Sequence, residues 1–240
     1  MNIVISQPYF LPWVGLFEQL RLADVFVHYD DVQLPTGKNF NTRVQIKTKD
    51  GGFKWLSIPI QHQGKIANIN EIKISYSEDW KKKHFNLIRD NYSTTPYYRE
   101  TVELLEFVYD KQHEYLADMA ISFIELIASY FGLDRKFVRS SELDIQGKSS
   151  RRLVDICIAF QATTYITGLG ALKYIEYDLF EESNIQLQYM DYQKQTYQQL
   201  HGEFTPYVSI IDLIANCGKE GAKYICSNSV YWKDFIDGQN

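Results

Sequence analysis

Cysteine is scarce in this chain. Cys157, Cys217 and Cys226 are an odd three among 240 residues, and no two are spaced as C-x-x-C. That argues against a disulfide framework or a zinc ribbon. Cys157 falls inside an apolar helical run and reads as a small core residue. The five histidines (His28, His62, His84, His113, His201) form no H-x-x-x-H or H-E-x-x-H pair, so no metal site is announced. A basic surplus is missing too. With 25 Lys and Arg against 30 Asp and Glu, the formal net charge is −5, which makes a nucleic-acid partner a poor expectation. No apolar run approaches the roughly 20 residues that span a bilayer, and the N-terminus has no charged leader region. These absences predict a soluble, cytoplasmic chain without membrane insertion. Neither internal repeats nor low-complexity tracts occur.

What is abundant is aromatic. Tyr, Phe and Trp make up 15% of the chain, with 18 Tyr, 14 Phe and 4 Trp, inside an ordinary balance of 45% hydrophobic and 23% charged residues. Rings in excess of core needs line pockets or interfaces, because each carries a large face and often a polar tip.

Strand signals open the chain at Ile3-Val4-Ile5. Gln7-Pro8-Tyr9-Phe10-Leu11-Pro12 then forbids helix until about Trp13, from where a helix runs to Leu20. Asp24 to Tyr29 is a second strand, ending on Asp30-Asp31. Strand, helix and strand within about 30 residues imply parallel pairing. Asp50-Gly51-Gly52 between two alternating segments marks a hairpin, and Ile72-Lys73-Ile74 reads as another short strand. Helices are expected over 80–91, 97–109 and 113–131, the last stopped by Gly132. Strand and helix then alternate: strands at 136–139, 163–167 and 185–189, helices at 149–160, 172–180 and 209–217, and a polar tail. The expected fold is α/β, a mostly parallel Rossmann-like (HUP-like) sheet with an inserted antiparallel hairpin and a helical layer. One domain, 1–240, is predicted. Residues 1–35 and 133–195 would form its core, 36–132 the insertion, and 196–240 a C-terminal helix and tail.

Ligands of open parallel sheets bind at the carboxyl ends of the strands. Three segments arrive there on this reading: Gln7 to Gly15, Asp30-Asp31, and Gly168-Leu169-Gly170. Gln7 is polar at a strand end, and Gly15 near a helix start permits close backbone approach to an anion. Either Asp30 or Asp31 can serve as a base or hold a metal or sugar hydroxyl, or both simply end a strand in solvent. Asn39, Asn41 and Arg43 share one face of an extended segment, where Arg43 can grip a phosphate or carboxylate. Lys81-Lys82-Lys83-His84 places cations at a helix start, with His84 the member most suited to chemistry. Gly147-Lys148-Ser149 lacks the upstream glycine of a P-loop, since position 142 is Glu, but Lys148, Arg151 or Arg152 can reach a phosphate from a helix start. No Ser/His/Asp triad emerges from the residue order.

Gln7-Pro8-Tyr9-Phe10-Leu11-Pro12-Trp13-Val14-Gly15-Leu16-Phe17, followed by Phe26-Val27-His28-Tyr29-Asp30-Asp31, resembles the opening of the WbqC-like protein family. The likeness continues through Trp55-Leu56-Ser57-Ile58-Pro59, Trp80 to His84, Arg152 to Cys157, Thr164 to Ala171 and Phe204-Thr205-Pro206, covering essentially the whole chain. It implies a bacterial cytoplasmic protein associated with O-antigen or other surface-polysaccharide gene clusters. The expected activity is action on a nucleotide-linked amino sugar, by acyl or aminoacyl transfer or amide-bond formation. Asp30, Asp31 and His84 are the expected catalytic residues. Gln7, Pro8, Tyr9, Trp13, Gly15, Asn41, Arg43, Lys148, Arg152, Gly168 and Gly170 are the expected substrate contacts. The opening is also similar to HIGH-type nucleotidyltransferases and pantoate-ligase-like enzymes, which would bring ATP and Mg²⁺. Trp13 and Leu16 stand where their loop histidines would be. An ATP-dependent adenylating or nucleotidyl-transferring enzyme is therefore one alternative, and a non-catalytic binder of a glycan intermediate or pathway partner is another. A homodimer is expected on general frequency.

Overall fold

In the computed structural model, which describes residues 1–37, 39–61 and 67–238, the β-branched run Ile3-Val4-Ile5 lies within the first strand, Asn2–Ser6 (β1). Helix Val14–Leu22 (α1) begins two residues after Pro12 and leads into Val25–His28 (β2), all four of whose residues are buried. β2 runs parallel to β1, with Ile3 opposite Val25. Burial on both faces explains why these strands read as continuous apolar runs.

The chain then leaves the sheet. Arg43–Lys47 (β3) and Phe53–Ser57 (β4) form a separate antiparallel hairpin, its turn using Gly51 at φ +79°. Three helices follow: Trp80–Tyr92 (α2), Tyr98–Tyr109 (α3) and Leu116–Tyr130 (α4). α4 ends as its sequence requires. Gly132 adopts φ +70°, and the N–H groups of Leu133 and Gly132 reach back to Ala128 and Ser129 at 2.8 and 3.0 Å.

Lys136–Arg139 (β5) rejoins the sheet beside β2. Helix Ser149–Ala159 (α5), strand Thr164–Thr167 (β6), helix Tyr177–Glu182 (α6) and strand Gln186–Asp191 (β7) complete the second half. After Ile210–Cys217 (α7) come Asn228–Tyr231 (β8) and Trp232–Asp237 (α8). The six-stranded sheet has the order β5-β2-β1-β6-β7-β8, parallel except for β8. The α/β class, the mostly parallel sheet and the separate hairpin agree with the sequence expectation. Alternate residues of β1 feed two cores. Ile3 and Ile5 pack towards α5 and α6, while Val4 joins the larger cluster built with α1, α4 and α7.

Three local expectations change. Ile72-Lys73-Ile74 is not a strand. Ile74 bridges Ile60 and Lys73 bridges Tyr115, so its hydrogen bonds go to two different neighbours and no ladder develops. The helix expected over 172–180 splits into a 3₁₀ turn, Leu169–Lys173, and α6. The chain extends between them, where Ser150 Oγ accepts from the Glu176 N–H at 3.0 Å. The polar tail contains β8 and α8, held by few apolar groups: Val230 opposite Tyr189, Trp232 stacked on Tyr177 at 4.1 Å, and Phe235 on Tyr189. Among the described residues, no helix is long and apolar enough to cross a membrane.

Candidate functional site

After β1 the chain turns one way to β2 and β5, and later crosses to β6 on the other side. The carboxyl ends of β1 and β6 therefore diverge into loops on opposite sides, leaving a crevice. A cleft of about 1010 Å³ lies there.

Its first wall is the loop after β1. Gln7, Tyr9, Phe10, Pro12 and Trp13 line it. Leu11, at φ +43°, carries backbone strain unusual for a branched side chain. Neighbours hold the loop in place. Asn41 Nδ2 donates to Pro8 O (3.1 Å), Phe10 N–H to Phe40 O (3.0 Å), Ser209 Oγ to Leu11 O (2.9 Å) and Ile210 N–H to Pro12 O (2.8 Å). A strained loop fixed at four points is a preorganised wall rather than a passive connection.

Trp13 is the centre of an aromatic cluster, its ring 4.9 Å from Tyr192 and 5.5 Å from Tyr207. A Cβ on Gly15 would fall 2.2 Å from the Trp13 ring. Gly15 thus supplies clearance for Trp13 and does not itself line the cleft. Gly168 and Gly170 do line it, and bare backbone at Gly168 allows Gln19 Nε2 to donate to Tyr192 Oη at 2.7 Å. Tyr165, stacked on Phe180 at 5.4 Å, contributes part of the floor.

The polar wall comes from β2 and α5. Arg152 Nη1 and Nη2 grip the two oxygens of Asp31 at 2.9 and 2.5 Å, Arg152 Nε donates to Ile145 O at 2.8 Å, and the guanidinium lies 5.1 Å from the Tyr29 ring centre. Burial acts to raise the Asp31 pKa. The hydrogen bonds from Arg152 and Ser140, with the Arg152 charge, outweigh it and hold the carboxyl below its usual range. Lys148 and Ser149 line the cleft at the start of α5, whose first turn carries neither an acidic residue nor a side-chain cap. Its free N–H groups favour an anion. Lys194 completes the charge set. The described lining residues include three cations and one carboxylate, a positive cleft on an acidic chain. Burial raises the pKa of Tyr9, Tyr29 and Tyr174, so their hydroxyls remain neutral and can donate hydrogen bonds.

Residues 7–224 match the model of the WbqC-like protein family. The chain belongs to the WbqC-like family. It is also 32% identical over 227 residues to the uncharacterized protein Rv1507c of Mycobacterium tuberculosis, covering 93% of this chain and 97% of that relative. No solved structure matches.

In this WbqC-like chain the expected site residues divide. Gln7, Tyr9, Trp13, Asp31, Lys148, Arg152, Gly168 and Gly170 meet at the cleft. Pro8, Gly15, Asp30, Asn41, Arg43 and His84 are not among its lining residues. Asp30 is fully buried, its carboxylate accepting from Ser141 N–H and Ser141 Oγ at 3.1 and 2.9 Å. His84 is buried between the hairpin and α3. Its Nδ1 is 2.8 Å from Tyr109 Oη, and its Nε2 is 3.1 Å from both the N–H and the C=O of Ser57. Burial pushes its pKa down to about 4, so the ring is neutral and joins two elements. Arg43 lies on the outer hairpin face, 4.2 Å from the centre of the Trp55 ring. His62 falls outside the described residues.

Sequence reasoning missed Tyr174, Tyr192, Lys194, Tyr207 and Gln19, all at the cleft. One signal was available: tyrosines recur at 192, 197 and 207 across an irregular stretch. Structureless segments of that length inside a domain are usually functional. Among the described residues, no group of three or more His, Cys, Asp and Glu side chains is arranged to hold a metal ion.

Proposed function

We propose that this WbqC-like protein binds a nucleotide-linked amino sugar in the cleft between β1 and β6 and acts on it in bacterial surface-polysaccharide biosynthesis. The reaction proposed is acyl or aminoacyl transfer that forms an amide on the sugar. One observation carries the reading: a crevice at the sheet's switch point combines ring-stacking walls with three cations and an uncapped helix start. A nucleoside diphosphate sugar needs all three, since it carries a base, a sugar ring and a pyrophosphate. In this assignment Lys148, Lys194 and the first N–H groups of α5 hold the pyrophosphate. Trp13, Tyr192 and Tyr207 flank the base, and Gln7 and Thr167 meet sugar hydroxyls. Asp31, held ionised by Arg152, is a weak base but a firm acceptor for the amine or hydroxyl of the sugar. Arg152 and Tyr29 position it.

A thermal-shift screen of nucleoside diphosphate sugars against ATP tests the assignment. Stabilisation by at least one sugar nucleotide, stronger than by its free nucleoside diphosphate, supports it. Stabilisation by ATP and Mg²⁺ alone would transfer the cleft to the adenylating alternative.

A further inference from the structure

The β3–β4 hairpin has one face packed on the core and another that is bare around Trp55, the far end of the second being closed at Lys47, which is buried and donates to Gln199 Oε1 and Glu203 O. Val44, Ile46 and Leu56 are buried against the core. On the opposite face, alternation places Arg43 and Gln45 beside Trp55 and Phe53, with Gln45 directly across from Trp55. These rings are left in solvent. Trp55 is 38% exposed and Phe53 49%, and Phe40, whose ring centre lies 6.3 Å from that of Trp55, is 62% exposed. Three neighbouring exposed aromatics are uncommon on a surface with no partner. The polar groups among them are free as well. Arg43 stacks its guanidinium on Trp55 but makes no hydrogen bond or ion pair among the described residues, and neither the Gln45 amide nor the Trp55 indole N–H has a partner there.

Phe40 also lines the cleft, so the bare face runs into its mouth. Stacking rings bordered by planar donor–acceptor groups match the two surfaces of a pyranose: an apolar C–H face and a hydroxyl rim. The face is an open shelf rather than a concavity, which suits successive rings of a chain better than an enclosed small molecule. An unpaired guanidinium selects an anionic substituent. We infer that the outer hairpin face is a second binding subsite, for an acidic oligosaccharide laid across Trp55 with its carboxylate or phosphate on Arg43, leading into the cleft over Phe40. Calling this glycan the second substrate rests on the sugar-nucleotide reading of the cleft. Its binding to the shelf does not.

The test is saturation-transfer NMR and titration of the full chain with oligogalacturonate, hyaluronate oligomers and a phosphorylated mannan fragment, with maltohexaose as neutral control and AMP as nucleotide control. At least one acidic oligomer should bind and weaken with added salt, while maltohexaose binds far less. Trp55→Ala and Arg43→Gln should each reduce that binding about tenfold, the scale of losing one ring or one charge-assisted contact. Trp55→Phe, which keeps a ring, should retain most of it. Affinity for a sugar nucleotide, measured on the same samples, should be unchanged in all three variants, which also reports that they are folded. Failure of every acidic oligomer, indifference to Trp55→Ala and Arg43→Gln, or Trp55-dependent binding of AMP in their place would overturn the inference. Loss of sugar-nucleotide binding by the unsubstituted protein, with glycan binding intact, would refute the cleft reading and leave the shelf standing.

Discussion

Replacing Arg152 by Met removes the guanidinium from Asp31, the one carboxylate among the cleft's described lining residues, while keeping much of the side chain's bulk. Two charge-assisted hydrogen bonds to Asp31 and one to Ile145 O are lost. The pair is largely desolvated, with side-chain exposures of 7% for Arg152 and 21% for Asp31. Breaking a fully buried pair from one side costs about 3–5 kcal/mol, because the remaining charge has no partner. Asp31 keeps some water and the Ser140 hydroxyl at 2.5 Å, so the expected cost is about 2–3 kcal/mol. For a chain of this size that lowers Tm by roughly 5–10 °C. Combining Arg152→Met with Asp31→Asn removes the stranded charge, so the double variant should be more stable than the sum of the singles by about 1–2 kcal/mol. The pH dependence has a definite sign. A carboxyl whose pKa is depressed by folding stabilises the protein above its unfolded value, near 3.9, and loses that contribution as pH falls through the folded value. The gap between unsubstituted protein and Arg152→Met should therefore be full at pH 7 and shrink as pH falls through the depressed Asp31 value, leaving only the pH-independent loss of the Ile145 O bond. Urea unfolding of the four proteins at several pH values reads all of this. Strict additivity, or a gap as large at low pH as at pH 7, would refute the coupling.

His84 also makes the protein less stable on acidification, but in a higher pH window. With its pKa lowered from 6.5 to about 4, the unfolded chain takes up a proton that the folded chain does not, and stability falls between those values. The loss amounts to about 3 kcal/mol by pH 4, and His84→Gln should flatten that part of the profile while leaving ligand affinity intact. Gly15→Ala should displace the Trp13 ring, costing about 1–3 kcal/mol and weakening sugar-nucleotide binding in the same variant; intact binding would show that Trp13 is not part of the wall. Tyr197→Phe takes one of two tyrosine hydroxyls from the buried Asp212 carboxylate (2.9 Å, with Tyr92 Oη at 2.8 Å). A cost of about 1–3 kcal/mol is expected in chemical denaturation.

The sheet was legible because parallel strands, buried on both faces, announce themselves as short apolar runs. β1, β2 and β6 are of this kind. Gly132 and the Asp50-Gly51-Gly52 turn were legible because particular backbone angles demand glycine. β8 was not, because an edge strand such as Asn228-Ser229-Val230-Tyr231 buries little and gets its identity from the neighbour it pairs with. At the site, sequence could find the loop after β1 but not the direction in which each polar side chain points. Asp30 and Asp31 are adjacent, yet one is buried under Ser141 and the other faces the cleft with Arg152, a partner 121 positions away. His84 has the composition of a catalytic residue and the surroundings of a structural one. Tyr192, Lys194 and Tyr207 arrive on a segment with no periodicity to place them.

Isothermal calorimetry on the unsubstituted protein, Lys148→Ala and Lys194→Ala, titrated with the sugar nucleotide that stabilises it most, tests the central assignment directly. The cleft reading predicts saturable one-to-one binding that each substitution weakens about tenfold, the worth of one charge-assisted phosphate contact, with affinity falling as salt is added. Binding indifferent to both lysines and to salt, or no heat with any sugar nucleotide, would contradict it.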